Sequence, residues 1–376
     1  MSPTERPDTY PEALAAAWSG LAASAVGDSG ESALDRLRPH VARLSDLFTL
    51  DRPPGDFPDY LADPALLAAY GEFFFPQSWT RTGWAMAHAS LRGWAPASGR
   101  PSILDLGSGP GPCGLRSARW ISAVGRAAGE ITLVDRSAAA LAAAAHLAPA
   151  AAPGWAVTGK VGDVRSPAQW PEGRFDLIVA GFVLNELGLD DAGRDRWVDD
   201  AAARLAPGGL LILIEPALRA TAESLRRLSD RRASRSPRRI GPEVDDAPCP
   251  MLGGDHWDHE VRRWQAPADA AFLNRRLHRD LGAVRFSLAL FSDAPLPALP
   301  GGSARIVAEP QLLKGLFRLV VSAGGRLRTV EIPTRGLGKR EAKDLAAGFE
   351  RGDLVTLPPG DARRLPDAAS VRRLGP

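Results

Sequence analysis

Two cysteines in 376 residues are too few for a disulfide-stapled secreted domain, and Cys113 and Cys249 lie too far apart to make a compact metal-binding pair. A reducing compartment fits that usage. No segment approaches the roughly 20 uninterrupted apolar residues that a membrane span needs, and residues 1–28 lack the basic start and apolar stretch of a secretory signal. The expectation is a cytoplasmic protein with no membrane partner. An excess of one charge sign is missing too: the formal net charge is +2, so bulk charge does not single out nucleic acid as a ligand. What the chain does have is 45% hydrophobic residues, ample for one large core or two.

The apolar pattern divides the chain. From Pro11 to about Ala97, helical stretches such as Ala13 to Leu21 and Val41 to Phe48 flank a Pro/Asp-rich break at Asp51 to Asp59. The aromatic run Tyr70 to Trp79 either packs into the core, as buried aromatics ordinarily do, or forms a lid over a pocket. After Gly99, strand-length apolar runs appear at Ser102–Leu106, Ile131–Val134, Phe175–Ala180 and Leu210–Ile214. Helical patterns at Leu115–Ala128, Ala138–Leu147 and Ala192–Leu205 separate them. Alternating strands and helices imply an α/β fold with a parallel sheet covered on both faces and ligand loops along one edge. Beyond Pro216, an arginine-rich helix, a loop at Gly241 to Asp258 and a helix at Ala268 to Leu281 lead into strand-like segments. These run over Val284–Phe291, Ala304–Ala308, Leu316–Ser322 and Leu327–Ile332, with Ala323-Gly-Gly325 as a hairpin turn. The segments expected are a helical region 1–98, a cofactor domain 99–299, and a β-rich extension 300–376 whose tail from Pro358 is loosely ordered.

Ile103-Leu-Asp-Leu-Gly-Ser-Gly-Pro-Gly111 runs from a strand into a glycine-rich turn before a helix. Glycines at 107, 109 and 111 let the backbone approach a ligand closely. Gly109-Pro-Gly-Pro-Cys-Gly114 also matches the spacing of dinucleotide-binding loops, a weak signal by itself. Charge separates the two readings. The Asp105 carboxylate disfavours a pyrophosphate and suits the ammonium and sulfonium groups of S-adenosylmethionine (SAM). Asp135, 24 residues beyond Gly111, is spaced to accept hydrogen bonds from ribose hydroxyls with either cofactor. Asp163, in Gly162-Asp-Val164, is a candidate acceptor for the adenine amino group.

In this order, the pattern over Pro101 to Pro216 resembles class I SAM-dependent methyltransferases. The resemblance implies a Rossmann-like sheet, with Asp105 and Gly107 at the methionine end, Asp135 at the ribose and Asp163 at the adenine. The full cofactor set expected is Asp105, Gly107, Ser108, Gly109, Gly111, Asp135, Arg136, Asp163 and Val164.

The fourth strand leads into Phe182-Val-Leu-Asn-Glu-Leu187, which puts Asn185 and Glu186 at the active-site edge. Neither the Asn-Pro-Pro-aromatic motif of amino methylation nor the Pro-Cys pair of pyrimidine C5 methylation stands here. Alignment of the acceptor can still supply much of the rate. Glu186 is a candidate general base, or alternatively a cap for the next helix.

Gly107 to Gly111, Val183-Leu-Asn-Glu-Leu187, Ile214-Glu-Pro216 and Ala247-Pro-Cys-Pro250 occur in the order found in the mitochondrial and bacterial ribosomal small-subunit methyltransferase-like family. Arg305-Ile-Val307, the glycine hairpin and Lys339-Arg340 extend the similarity, which spans roughly Tyr70 to Leu354. It implies association with small-subunit ribosomal RNA or its assembly. Many members hold an iron–sulfur cluster on four cysteines. Only Cys249 of that set is present, and Asp258 stands where another would follow the tryptophan, so no cluster and no metal are expected. A zinc site from Cys249, His256, Asp258 and His259 is the chemical alternative. Eight arginines between Arg219 and Arg239, against Glu223 and Asp230, form a candidate phosphate-facing surface for that RNA, or else a solvated helix face. Two other readings stay open: a ribosome-assembly factor that holds SAM without catalysis, and a small-molecule methyltransferase.

Overall fold

A computed structural model describes residues 5–49, 58–279 and 281–375. The Pro/Asp-rich break expected at residues 51–59 lies almost wholly outside the described residues. The chain forms two compact units, each from discontinuous segments: residues 1–86, 95–214 and 264–282 in one, residues 87–94, 215–263 and 283–376 in the other.

In the first unit, helices α1 (Glu12–Val26), α2 (Gly30–Thr49), α3 (Pro64–Ala69) and the start of α4 (Phe75–Leu91) precede the sheet. Asp63 caps α3 by accepting from the Ala65 and Leu66 N–H groups, with Pro64 pre-set at its first position. A π-helical turn, Tyr70–Phe74, joins α3 to α4. Leu34, Leu37, Val41 and Leu44 of α2 pack with Phe73 and with Phe272 and Leu273 from the helix Ala268–Arg276.

Strands β1 (Ser102–Leu106), β2 (Glu130–Asp135), β3 (Ala156–Val161), β4 (Phe175–Gly181) and β5 (Leu205–Glu215) alternate with helices α5 (Pro112–Ala123), α6 (Ala138–Ala151) and α7 (Asp191–Ala202). Every pairing is parallel, in the order β3-β2-β1-β4-β5. This is the Rossmann-like α/β arrangement, in which strand order reverses beside β1 and the loops after β1 and β4 diverge to leave a crevice. Ile103, Leu104, Leu177, Ile178 and Leu211 are fully buried because helices cover both faces of the sheet. Burial of each such side chain contributes about 1.5–3 kcal/mol.

In the second unit, β6 (Arg239–Gly241) and β7 (Glu260–Arg263) pair antiparallel with β8 (Ala283–Ser292). Helix α8 (Arg219–Arg231) belongs to this unit. Six further strands form a second sheet: β9 (Ser303–Ile306), β10 (Gln311–Leu313), β11 (Leu316–Ala323), β12 (Arg326–Pro333), β13 (Leu354–Thr356) and β14 (Arg372–Leu374). The expected hairpin is present, with Gly324 and Gly325 both at positive φ between the paired Ala323 and Arg326. The tail differs from the expectation of loose order. Leu365 and Val371 are buried in the apolar core under this second sheet and β14 pairs with β13, so two apolar residues in a Pro/Arg-rich stretch suffice to dock it. Among the described residues no helix is long and apolar enough to cross a membrane.

Candidate functional site

The loop after β1 is folded by its own backbone. Gly107 and Ser108 N–H both donate to the Val134 carbonyl, at 2.8 and 3.0 Å, and Gly111 N–H closes a turn onto Ser108 O at 2.9 Å. Gly107 has φ +69°, and a Cβ there would lie 2.5 Å from Val183 Cγ2. Only glycine fits. Gly111 caps α5 in the left-handed region and Pro112 starts the helix.

Two carboxylates bracket this loop. Asp135, at the end of β2, accepts from Gly109 N–H at 2.7 Å and from Ser137 N–H at 2.9 Å. Asp105 is buried beneath the loop, where its Oδ2 accepts from Gly114 N–H at 2.7 Å. Its Oδ1 has no hydrogen-bond partner among the described residues. Burial pushes the Asp105 carboxyl up to about 7, against the pull of the Gly114 N–H and with a further push from Asp135. Asp135 is raised as well, chiefly by burial.

At the end of β4, Phe182 takes φ +65°, a strained conformation for a non-glycine residue, and donates its N–H to Ile214 O at 2.6 Å. The turn that follows carries Asn185 and Glu186, both half-buried, and Glu186 N–H donates to Val183 O at 2.8 Å. Glu186 acts electrostatically on the buried phenols of Tyr60 and Tyr70, which burial holds well above their ordinary range. The expected edge residues therefore share a neighbourhood with the N-terminal helices.

Arg81 was not legible as a site residue. On α4, its guanidinium stands 5.1 Å from the Phe182 ring centroid, and Nη2 donates to Gln77 Oε1 at 3.2 Å. Its Nε is buried without a partner, and among the described residues no carboxylate pairs with it. Burial pulls its pKa down to about 10. The only sequence signal is a cation inside an otherwise buried aromatic helix. Within the same run, Phe73, Phe75 and Trp79 are core residues, and Phe75 stacks on Trp79.

The remaining expected residues are engaged locally. Arg136 donates to Pro58 O at 2.9 Å, and Ser108 is buried with its hydroxyl on Gly109 O. Asp163 follows β3, but Arg165 holds its carboxylate through Nε and the backbone N–H. The Val164 carbonyl accepts from the indoles of Trp170 and Trp197, at 3.2 and 2.8 Å.

Residues 103–209, all within the first unit, match a family described as a methyltransferase domain. The chain carries a SAM-dependent methyltransferase domain. No curated protein matches the sequence. Similar solved structures include the N-methyltransferase NodS from Bradyrhizobium japonicum WM9 in complex with S-adenosyl-L-homocysteine: 18% identity over 68% of this chain and 98% of that one, TM-score 0.37. An O-methyltransferase from Bacillus cereus, also in complex with that compound, is 12% identical over 74% of this chain and 100% of its own, TM-score 0.35. TrmN from Thermus thermophilus is 19% identical over 67% of this chain and 49% of its own, TM-score 0.30.

Outside the methyltransferase domain, the arginine cluster is not one surface. Arg226, Arg232 and Arg239 are buried. Arg226 pairs with Glu243 and with Asp258 at 3.1 Å, and Arg239 with Asp230 at 2.5 Å. A guanidinium held by buried carboxylates cannot meet a phosphate, so the exposed arginines left of the expected phosphate-facing surface over Arg219–Arg239 are Arg219, Arg227, Arg235 and Arg238, with Arg231 half-buried. The first two of these share Glu223. Asp258 is clamped by Arg305 Nη1 at 2.8 Å to each oxygen, and Glu260 takes the rest of that guanidinium. These arginines hold Asp258 well below the usual carboxylate range. Cys249 N–H donates to Asp230 at 2.9 Å. Among the described residues no three His, Cys, Asp or Glu side chains are placed to hold a metal ion.

Proposed function

We propose that this methyltransferase acts on RNA of the small ribosomal subunit, with the cofactor held between Asp105 and Asp135. The observation that carries the site assignment is the pair of carboxylates bracketing a loop that admits no Cβ at Gly107: one oxygen of Asp105 is buried and unused, and Asp135 is tied to the Gly109 N–H. The donor set fits SAM. Asp105 offers an anion to its cationic end, Asp135 offers an acceptor to its ribose, and Gly107, Ser108, Gly109 and Gly111 supply close backbone. Arg81, a cation without a counter-ion, suits the carboxylate of the methionine moiety. In this reading Arg136, Asp163 and Val164 lie toward the adenine, and the Asp163 carboxylate is shared with Arg165.

Bound SAM supplies a methyl group already activated on its sulfonium. The chain then has to align an acceptor and exclude water. Asn185 and Glu186 are assigned to the acceptor, with Glu186 receiving its proton, and Tyr60 and Tyr70 give that neighbourhood an apolar wall. The order of the motifs shared with the ribosomal small-subunit methyltransferase-like family supports RNA as acceptor.

Calorimetric titration with SAM, and separately with NAD, tests the cofactor, and methyl transfer from labelled SAM to small-subunit RNA tests the acceptor. SAM binding that weakens in Arg81→Gln and partly returns in Arg81→Lys is the expected outcome. NAD binding would refute the reading of Asp105. SAM binding without methyl transfer to RNA would replace catalysis by the role of a SAM-holding assembly factor.

A further inference from the structure

The C-terminal strands close on themselves in a particular order. β10 and β9 lie in succession along one side of β11, with Gln311 opposite Arg318 and Ile306 opposite Val321, so they serve as one bent first strand. β12 takes the other side of β11, β13 pairs with the free side of β9, and β14 pairs with β13. Glu331 of β12 then bridges in parallel to Arg364, on the segment that leads into β14. The Glu331 N–H donates to Arg363 O at 2.7 Å, and Leu365 N–H to Glu331 O at 2.9 Å. Counted as five strands, the circuit runs first-second-third-fifth-fourth-first, with the helix Lys339–Ala347 between third and fourth. This is the Greek-key circuit of the oligonucleotide- and oligosaccharide-binding barrel, whose ligands lie across the second and third strands and the adjoining loops.

Topology does not name a ligand; the surface must. Residues 303–376 hold fourteen Lys and Arg against eight Asp and Glu, a formal +6, so residues 1–302 carry −4. Cations from four segments gather at one end of the second and third strands. Thr334 N–H donates to Gly315 O at 3.1 Å, which sets the turn carrying Lys314 beside Arg335. Arg318 and Arg363 both reach Glu331 Oε1, at 3.0 and 2.9 Å, and Arg364 is next in the chain. Lys314, Arg335, Arg363 and Arg364 are exposed; the buried Glu331 takes Arg318 and Arg363, and the exposed Asp361, two residues before Arg363, pairs with Arg328 at 3.6 Å. The other end of this face is occupied: Val320 packs on Cys249, Met251 and Val307, and Gly324 N–H donates to Asp245 at 2.6 Å.

Residues 303–376 contain no Trp or Tyr, and both Phe317 and Phe349 are in the barrel core. Base stacking therefore has no platform on this face, and the cations must act on the phosphate backbone. We infer that the Lys314, Arg318, Arg335, Arg363 and Arg364 end of the C-terminal barrel binds single-stranded RNA through its phosphates, without reading sequence. The choice of RNA rests on the proposed acceptor; the phosphate chemistry does not.

The test uses the full chain and a labelled 20-nucleotide oligouridylate, with fluorescence polarisation read at several salt concentrations. Neutralising four or five phosphates on a single strand gives a slope of log affinity against log salt of about −3. The variant Lys314→Ala/Arg335→Ala/Arg363→Ala/Arg364→Ala should bind at least about tenfold more weakly and lose about two to three units of slope. Lys314→Glu alone, at an exposed hairpin tip, serves if the fourfold variant fails to fold, and should weaken binding severalfold. Arg219→Ala/Arg227→Ala/Arg235→Ala/Arg238→Ala should change neither quantity. Unchanged slope in folded barrel variants, loss of slope in the variant at Arg219, Arg227, Arg235 and Arg238, or no oligouridylate binding by the unaltered protein would each overturn the inference. SAM titration of the same preparations separates this outcome from the cofactor assignment, since barrel variants should bind SAM as the unaltered protein does.

Discussion

The Asp135 carboxylate spans two loops, accepting the Gly109 N–H with one oxygen and the Ser137 N–H with the other. The acceptor proposed for the ribose thus also fixes the glycine turn beside it. Hydrogen bonds to a charged group are worth about 1.5–3 kcal/mol each. Asp135→Ala should therefore weaken SAM binding about 10- to 100-fold by calorimetry, and Asp135→Asn, which keeps an acceptor oxygen, should lose less. Normal binding in the alanine variant would remove the site assignment.

Gly107 is the position where the loop has no slack. Alanine there meets Val183 Cγ2 at 2.5 Å in a backbone conformation that L side chains rarely adopt. Gly107→Ala should abolish measurable SAM binding and lower the melting temperature by several degrees. Adding Val183→Ala should recover part of the stability, because it removes the clash and leaves the φ penalty.

The raised carboxyl of Asp105 gives cofactor binding a pH dependence. With a pKa of about 7 in the free protein, Asp105 is mostly ionised at pH 7.5 and mostly protonated at pH 6. A cationic ligand favours the ionised form, so affinity is lost as pH falls through 7. SAM should bind about five- to tenfold more weakly at pH 6 than at pH 7.5. Asp105→Asn should bind weakly with a flat profile.

Glu72 makes stability fall with alkalinity. Buried on the π-helical turn and near Asp269, its carboxyl is pushed up to about 8, first by burial and then by that neighbouring carboxylate. Its folded-state value lies above the unfolded one, so its contribution is intact below about pH 4.5 and is lost as pH rises to 8. The melting temperature should drop by several degrees relative to Glu72→Gln between pH 5 and pH 8.5. Parallel curves for the two proteins would contradict a buried, protonated Glu72.

What the sequence disclosed follows from burial and from locality. β1, β2, β4 and β5 read as apolar runs because both faces of the central sheet are covered. β3, Ala156–Val161, escaped notice because it is an edge strand with largely exposed residues and so carries no apolar run. Asp105 and Gly107 could be singled out because they stand in one contiguous strand-and-glycine segment, and Asp135 because it ends the next strand at a fixed spacing beyond it. Arg81 was not, since its position over Phe182 depends on the packing of α4. Arg226 of α8 read as surface because its carboxylate partners Glu243 and Asp258 come from a later loop that composition cannot pair with it.

The helix Ala268–Arg276 returns to the first unit after the chain has left it, and delivers Phe272 and Leu273 to the core of α2 and Phe73. A methyltransferase fragment cut after β5 would therefore bare Leu34, Leu37 and Val41 and shed Asp269, the partner of Ser19. The cofactor domain and its neighbour are thus not interchangeable cassettes. Gene fusions, domain swaps and crystallisation trials that treat residue 214 as a seam would yield a protein with an open apolar flank, whereas a loop graft that keeps residues 264–282 in place would not.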